Sequence, residues 1–93
     1  MQYNQSDLDK VKEYASLLLT ISEIAILLNM NEDELRESIA VKTTGISLAY
    51  QQGKMETILV LRRQEIELAK LGSPIGIELT QKYMSNQKLN ENE

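Results

Sequence analysis

Five polar side chains could contact the phosphates or base edges of a nucleic acid. They are Asn31, Arg36, Lys42, Arg62 and Arg63. Lysine and arginine bind phosphate through charge and hydrogen bonds, and an amide can hydrogen-bond to a phosphate or to a base. The first three surround one short predicted helix and the last two lie together in a long one, so their use depends on how those helices are placed.

Other kinds of chemistry have little support in the composition. The chain has 93 residues with no Cys and no His, which excludes disulfides, thiol nucleophiles, Cys/His zinc sites and imidazole catalysis. We find no Gly-rich phosphate loop and no convincing catalytic pair of carboxylates. We therefore expect no enzyme activity, no catalytic residue, no metal, no cofactor and no small-molecule substrate.

The charge distribution restricts where phosphate could bind. The net charge is −4, and residues 1–45 hold four basic and eight acidic residues. Phosphate contacts need Lys and Arg, so any cationic surface must be local. The best candidates for such a surface are Lys54, Arg62, Arg63 and Lys70.

The start of the chain has no basic region followed by an apolar run, and the longest apolar runs are only a few residues. A secretory signal and a membrane span are therefore not expected. The sequence predicts a soluble protein of the cytoplasm, which would be the host cytoplasm if the protein is viral.

Apolar residues recur at helical spacing along the chain and never alternate as in strands, which predicts an all-α fold. The first helix is predicted over about 7–19, with Ser6 as its N-cap. Its apolar face is predicted to hold Leu8, Val11, Ala15 and Leu18.

The next two helices are separated by a short turn. The second is predicted over 21–28, where Thr20 opens a T-x-x-E capping box. Asn29 tolerates the left-handed backbone that a sharp turn after a helix requires. The third helix is predicted to begin after Asn31, with Glu34 completing an N-x-x-E box, and to end near residues 40–42.

A long fourth helix is predicted from a cap at Ser47 to Gly72, which can end a helix in a left-handed conformation. Its apolar residues form two opposed stripes at helical spacing. The first stripe holds Ile46, Ala49, Tyr50, Gly53, Val60, Leu61, Leu68 and Leu71. The second stripe, predicted to be an oligomer interface, holds Leu48, Met55, Ile58, Leu59, Ile66 and Ala69. Two stripes imply two packing partners, one being the preceding helices and the other the last helix or a neighbouring subunit.

A fifth helix is predicted from a cap at Ser73, with Pro74 in its first turn, to about Ser85. A polar tail without a core face follows, and we expect it to be frayed or disordered. The predicted organisation is a helix-turn-helix domain over 1–45, the long oligomerisation helix plus the short C-terminal helix over 46–86, and the tail over 87–93.

Residues 20–38 have the features of a DNA-reading helix-turn-helix. Ala25 is a small residue where two helices cross closely, and Asn29 supplies the turn. However, the second helix opens with Glu32, Asp33 and Glu34, which are unfavourable beside phosphate but ordinary in the first turn of any helix. A plain helical hairpin therefore remains an alternative. Likewise, the Arg62–Arg63 pair could contact phosphate, form an inter-subunit salt bridge or line a solvated face.

The order of motifs resembles small terminase subunits of tailed phages and related phage helix-turn-helix proteins. A T-x-S-E-I-A-x-L-L unit is followed by A-Y-Q-Q-G-K, by L-R-R-Q-E-I-E-L-A, by a break at L-G-S-P and by a last helix. The matching residues are Ala49, Tyr50, Gly53, Lys54, Arg62, Arg63, Ala69 and Gly72. The resemblance covers about residues 20–83, and it lies in order and spacing rather than in any single motif.

The resemblance implies a subunit that recognises viral DNA, assembles as a homo-oligomeric ring and regulates a large terminase subunit, without a cofactor of its own. This sequence departs from the family pattern in two ways: its third helix is acidic, and the segment after its fifth helix is short. Two alternatives stay open: a dimeric helix-turn-helix regulator of transcription, and a phage or prophage interaction protein that binds protein instead of DNA.

Overall fold

The computed structural model describes residues 2–91, which contain five α-helices and no strand. The helices are α1 Gln5–Ser16, α2 Ile21–Leu28, α3 Glu32–Ala40, α4 Gly45–Lys70 and α5 Pro74–Glu91. The prediction of an all-α protein is confirmed. The chain forms two compact units, unit 1 up to Ile58 and unit 2 from Leu59, so that α4 contributes to both.

Unit 1 is built around an aliphatic core. Its buried members come from α1, α2, α3 and the start of α4, and they are Val11, Ala15, Ile24, Ala25, Leu35, Ile39 and Ile46. Burial of such side chains is the main favourable contribution to folding. The helices that carry the N-terminal candidate residues are therefore held by a common core.

The first helix begins and ends earlier than the sequence predicts. Asn4, not Ser6, is the N-cap: its side chain accepts from the Asp7 amide at 2.8 Å, and the Asp7 carboxylate accepts from the Asn4 amide at 3.1 Å. The helix stops at Ser16, and Leu18 follows with φ 62° and a side chain that is about half exposed. The prediction that Leu18 lies on the buried face is wrong, because the chain has already left the helix there.

The second helix and its turn match the sequence. Thr20 and Glu23 form the reciprocal capping box, and Asn29 adopts φ 53°, ψ 45°. The Met30 amide donates to the Ala25 carbonyl at 2.9 Å, which closes a Schellman turn. Asn31 caps α3, because its side chain accepts from the Glu34 amide at 3.0 Å. The Glu34 carboxylate does not accept the reciprocal hydrogen bond from the Asn31 amide.

The start of α4 differs from the prediction, because Ser47 is not its cap. Thr44 takes that role, and its hydroxyl accepts from the Ser47 amide at 3.2 Å. Ser47 is fully buried inside the helix, and its hydroxyl donates to the Ile39 carbonyl at 2.7 Å. This bond joins the end of α3 to α4.

Gly53 allows α1 and α4 to approach closely within unit 1. A Cβ atom at this position would lie 2.2 Å from the Lys12 carbonyl oxygen and 2.9 Å from the Ala15 Cβ. Beside this contact, the Thr57 hydroxyl donates to the Ser16 carbonyl, and Lys12 pairs with Glu56 at 3.2 Å. The glycine of the A-Y-Q-Q-G-K stretch is therefore a packing residue.

Unit 2 is a helical hairpin made of the second half of α4 and α5. Gly72, with φ 90°, ends α4 in a Schellman turn, and Ser73 accepts from the Gly76 amide at 3.4 Å at the start of α5. Gly76 lets the helices touch, since a Cβ there would lie 2.6 Å from the Ala69 amide nitrogen. α5 continues to Glu91, beyond the predicted end near Ser85, so residues 87–91 are helical; residues 92 and 93 of the predicted tail lie outside the described range.

Candidate nucleic-acid interface

A cleft of about 230 Å³ in unit 1 contains two lysines that are distant in sequence. It lies among α2, α4 and the end of α3, and we call it the lysine cleft. Its lining residues are Ile21, Ile39, Lys42, Tyr50, Gln51 and Lys54. The cleft combines two cations with a phenol and an amide, a set of groups suited to a phosphate.

The walls of the lysine cleft are fixed by the core. The Gln51 amide donates to the Ser47 hydroxyl at 2.8 Å, and that hydroxyl donates to the Ile39 carbonyl. Tyr50 packs against the core cluster, and the Lys54 ammonium lies 5.1 Å from the centre of its ring. This cation–π contact orients Lys54 without neutralising its charge.

Both lysines of the cleft are free of carboxylate partners in the part of the chain that the structure describes. The ion pairs found there involve Lys12 with Glu56, Arg36 with Glu32, and Lys70 with Glu67. An ammonium without an internal partner can bind an external anion without first breaking a salt bridge. Lys42 and Lys54 are therefore better placed for phosphate than the paired cations are.

Arg36, the predicted cation of α3, is engaged within the protein. Its guanidinium lies 3.5 Å from the Glu32 carboxylate and donates to the Ser22 hydroxyl at 3.1 Å. Hydrogen bonding by Ser22 lowers the pKa of Glu32 most strongly, the charge of Arg36 lowers it further, and burial opposes both. Together with the role of Asn31 as a helix cap, this arrangement leaves the start of α3 acidic and exposed.

Arg62 and Arg63 belong to unit 2, where they have different surroundings. The Arg62 guanidinium lies 4.4 Å from the centre of the Tyr83 ring, and the Tyr83 hydroxyl donates to the Glu65 carboxylate. This hydrogen bond raises the pKa of Tyr83, with burial and the Glu65 charge adding to it and Arg62 opposing it. Arg63 instead borders a shallow apolar depression lined by Gln64, Glu67, Leu68 and Leu71.

Arg63 forms no ion pair with Glu67, the carboxylate one helical turn further along α4, in the described residues. Glu67 lies 3.4 Å from Lys70 instead, and both side chains are exposed. The two neighbouring arginines are thus not equivalent, since Arg62 is held against an aromatic ring and Arg63 is not paired with a carboxylate in the described residues. The sequence alone did not separate them.

The predicted oligomer interface is divided between different environments. Leu48, Met55 and Leu59 are about half exposed. Ile58, Ile66 and Ala69 are half-buried, and within unit 2 Ile66 lies beside Tyr83 while the Ala69 backbone contacts Gly76. The face of α4 that stays bare in unit 2 belongs to the other stripe, and its apolar members are Val60, Leu61, Leu68 and Leu71.

Three polar residues of the lysine cleft are missing from the predicted contact set. Tyr50, Gln51 and Lys54 lie in the A-Y-Q-Q-G-K stretch, and Lys54 was recognised only as one of several possible cations. Tyr50 and Gln51 are adjacent, and Lys54 follows them by four and three residues, so the sequence already shows that the three are neighbours on a helix. What was not visible is that Lys42, twelve residues before Lys54, lines the same cleft.

Comparisons of the chain with known protein families, with curated proteins and with solved structures find no match. The resemblance to small terminase subunits therefore rests on the order of motifs in the sequence. Among the described residues, no helix is long and apolar enough to cross a membrane, and no group of acidic side chains is arranged to hold a metal ion.

Proposed function

We propose that this protein is a DNA-recognition subunit of the small-terminase type, which acts as an oligomer in viral genome packaging and has no catalytic role of its own. The lysine cleft is the observation that carries the DNA-binding part. The order of motifs supports the packaging role, with a large terminase subunit as a further partner.

The α2–turn–α3 segment supports a helix-turn-helix interpretation. Ala25 is buried where the helices meet, Asn29 makes the left-handed turn, and Leu35 anchors α3 in the core. In a docked helix-turn-helix the start of the second helix faces the major groove. Because that start is acidic here, the proposal assigns the main phosphate contacts to Lys42 and Lys54, and only secondary ones to Arg36, Arg62 and Arg63.

The poor burial of unit 2 supports an oligomer. Its only buried residue in the described range is Gly76, while Leu68 is 50% and Leu71 is 84% exposed. A contiguous apolar face of this kind is typical of protein–protein contacts. Several copies that bind one DNA molecule together gain avidity, so each copy needs only weak affinity despite the acidic net charge.

DNA binding can be tested with a fluorescent blunt DNA duplex over a series of salt concentrations. We expect the K42Q/K54Q variant to bind about tenfold more weakly and to lower the salt slope by about two, roughly one for each lost phosphate contact. The matched control is K10Q/K70Q, which removes the same charge outside the cleft. Equal losses in both variants, or no binding of the native protein at low salt, would refute the proposal.

The oligomer and the packaging role need separate measurements. Sedimentation equilibrium of the native protein should give a mass above that of a dimer, whereas a dimer that binds a palindromic duplex would favour a transcriptional regulator. L61D/L68D should reduce the mass to that of a monomer, while far-UV circular dichroism should show that the helices are retained. A gene for a large terminase subunit next to this one would support packaging.

A second candidate is a protein-binding role for α3. The observation that favours it is the exposed acidic surface formed by Glu32, Asp33, Glu34 and Glu37, whose one neighbouring cation, Arg36, is already paired. Such a surface would attract a basic protein segment. This candidate is supported if the native protein fails to bind duplex DNA at low salt but binds a Lys-rich peptide, and if D33N/E37Q, which removes two of the negative charges, abolishes binding of the peptide.

A further inference from the structure

Unit 2 contains a groove of about 460 Å³ along one side of the α4–α5 hairpin. We call it the amide groove, because three carboxamide side chains line it. Its residues are Arg62, Ile66, Thr80, Tyr83, Met84, Asn86, Gln87 and Asn90. Six of these eight residues are polar, an unusual share for a groove between two packed helices.

One wall of the amide groove is formed by a cation–π pair, Arg62 with Tyr83. The Arg62 guanidinium covers the Tyr83 ring at 4.4 Å, and the hydrogen bond from Tyr83 to Glu65 holds the ring in place. Arg62 forms no ion pair within the described residues. A guanidinium plane that is already oriented can stack on an unpaired base or bind a phosphate with little further ordering.

The other wall supplies hydrogen-bonding groups. Asn86, Gln87 and Asn90 are exposed, and each carboxamide carries both a donor and an acceptor. A carboxamide can bind the edge of a base through two hydrogen bonds, as with adenine. In addition, the Thr80 hydroxyl oxygen is buried in the described structure without a hydrogen-bond partner.

The one charged side chain that lines the amide groove is a cation, Arg62. On α5, Lys82 and Lys88 lie between Glu78 and Glu91 in the sequence, and none of these four residues lines the groove. A peptide ligand is a weaker fit, because peptide recognition needs apolar pockets for anchoring side chains and only Ile66 and Met84 are apolar here.

We propose that the amide groove binds an unpaired nucleotide, with its base against the Arg62–Tyr83 pair and the carboxamides, and with the Arg62 guanidinium as the cation nearest its phosphate. The ligand is either a single strand or a free nucleotide, which share this chemistry. The inference goes beyond duplex recognition by unit 1, since it uses another unit and another form of nucleic acid.

The experiment measures binding of a fluorescent oligo-deoxyadenylate of about 20 nucleotides by anisotropy. R62Q should weaken binding about tenfold, since it removes the guanidinium on which a base would stack. K70Q is the control, because it removes a positive charge from the same helix outside the groove, and it should change binding less than about twofold. Equal losses in R62Q and K70Q would overturn the proposal, as would absence of binding by the native protein.

Two further variants keep the test independent of folding and of the proposed function. N86A/N90A alters only exposed side chains and leaves the Arg62–Tyr83 contact intact, so it should weaken binding while circular dichroism is unchanged. K42Q/K54Q should retain most of the single-strand binding. If K42Q/K54Q abolishes it and N86A/N90A does not, the strand is bound by the lysine cleft and the amide groove has no such role.

Competition identifies the source of the ligand. Displacement of the oligonucleotide by deoxyadenosine monophosphate would identify a free-nucleotide site, and resistance to it would identify a strand site; either result is consistent with the proposal. Displacement by an oligo-glutamate peptide as efficiently as by unlabelled oligonucleotide would overturn it in favour of an acidic peptide.

Discussion

The two units use one helix, α4, in opposite ways. In unit 1 the first apolar stripe of α4 is covered, since Ile46, Ala49 and Gly53 are buried. In unit 2 the same stripe is bare, with Leu68 half exposed and Leu71 almost fully exposed. The spacing of apolar residues therefore indicates which face of a helix can be buried, while the number of neighbouring helices decides whether that face is buried.

The difference assigns different roles to the two units. Unit 1 has an aliphatic core from four helices and presents a fixed cationic cleft. Unit 2 has two helices in contact at Gly76 and presents apolar and amide surfaces. Helices gain most of their stability from packing, so unit 2 has the most to gain from a partner.

The largest effect on stability is expected when a core side chain of unit 1 is truncated. Leu35 is fully buried, so L35A should lower the free energy of unfolding by about 2–5 kcal/mol, measured by urea denaturation. L68A is the control in unit 2, where a half-exposed side chain should contribute less than about 0.5 kcal/mol in a monomer. A larger, concentration-dependent loss in L68A would show that this face is covered by another subunit.

The next largest effect is expected at Gly53 and Gly76, the two glycines that allow helices to touch. G53A and G76A should each cost about 1–3 kcal/mol through overpacking, even though alanine favours a helix. Hydrogen exchange should report faster exchange of α1 amides in G53A and of α5 amides in G76A. Equal loss of protection in both helices for either variant would mean that the two units unfold together.

A smaller effect, of opposite sign in the two units, is expected at left-handed residues. L18G should stabilise unit 1 by about 1 kcal/mol, because leucine is strained at φ 62° and its side chain is only half buried. G72A should destabilise unit 2 by about the same amount, because φ is 90° there and the position otherwise has free space. Thermal denaturation should show the two shifts; a loss of stability in L18G would mean that its side chain packs usefully.

The smallest effect is a pH response that differs between the units. The Thr20 backbone and hydroxyl lower the pKa of Glu23 below its ordinary value of 4.5. A lowered pKa in the folded state gives stability that is present above pH 4.5 and is lost as pH falls through the folded pKa. E23Q keeps a side chain that can cap the helix, so its urea midpoint should fall less between pH 6 and pH 3.

At the alkaline end the response belongs to unit 2. The pKa of Tyr83 is raised above its ordinary value of 10.0, so its contribution is present below pH 10 and is lost as pH rises through the folded pKa. Tyrosinate absorbance should titrate later for this residue than for an exposed tyrosine, and Y83F should remove that late component. If Y83F instead removes an ordinary component near pH 10, the Tyr83–Glu65 hydrogen bond is refuted.

The predicted helix boundaries are correct where the capping side chain and the backbone group that it binds lie within a few residues of each other in the chain. Thr20, Asn29, Asn31 and Gly72 act as predicted, because caps and left-handed turns depend on neighbours in the chain. Ser6 and Ser47 failed for a related reason. Each is a plausible cap, but Asn4 and Thr44 satisfy the free amides first, and burial of Ser47 gives its hydroxyl another partner.

The candidate site was predicted only in part. Lys42 was identified as a cation after α3, and Lys54 as one on α4, but nothing in their spacing indicated that they line one cleft. Conversely, Arg62 and Arg63 form one motif in the sequence and have different surroundings in the structure. Adjacent residues on a helix point about 100° apart, so a pair in sequence is seldom a pair in space.

The sequence by itself determined the all-α class, the approximate positions of five helices, the sharp turn at Asn29 and the absence of cysteine and histidine chemistry. These features follow from periodicity, capping and composition, which are local. Tertiary structure alone decided which stripe of α4 is covered, which lysines meet and which arginine stacks on Tyr83. Those outcomes depend on contacts between residues far apart in the chain, where close packing selects one arrangement from many that the pattern allows.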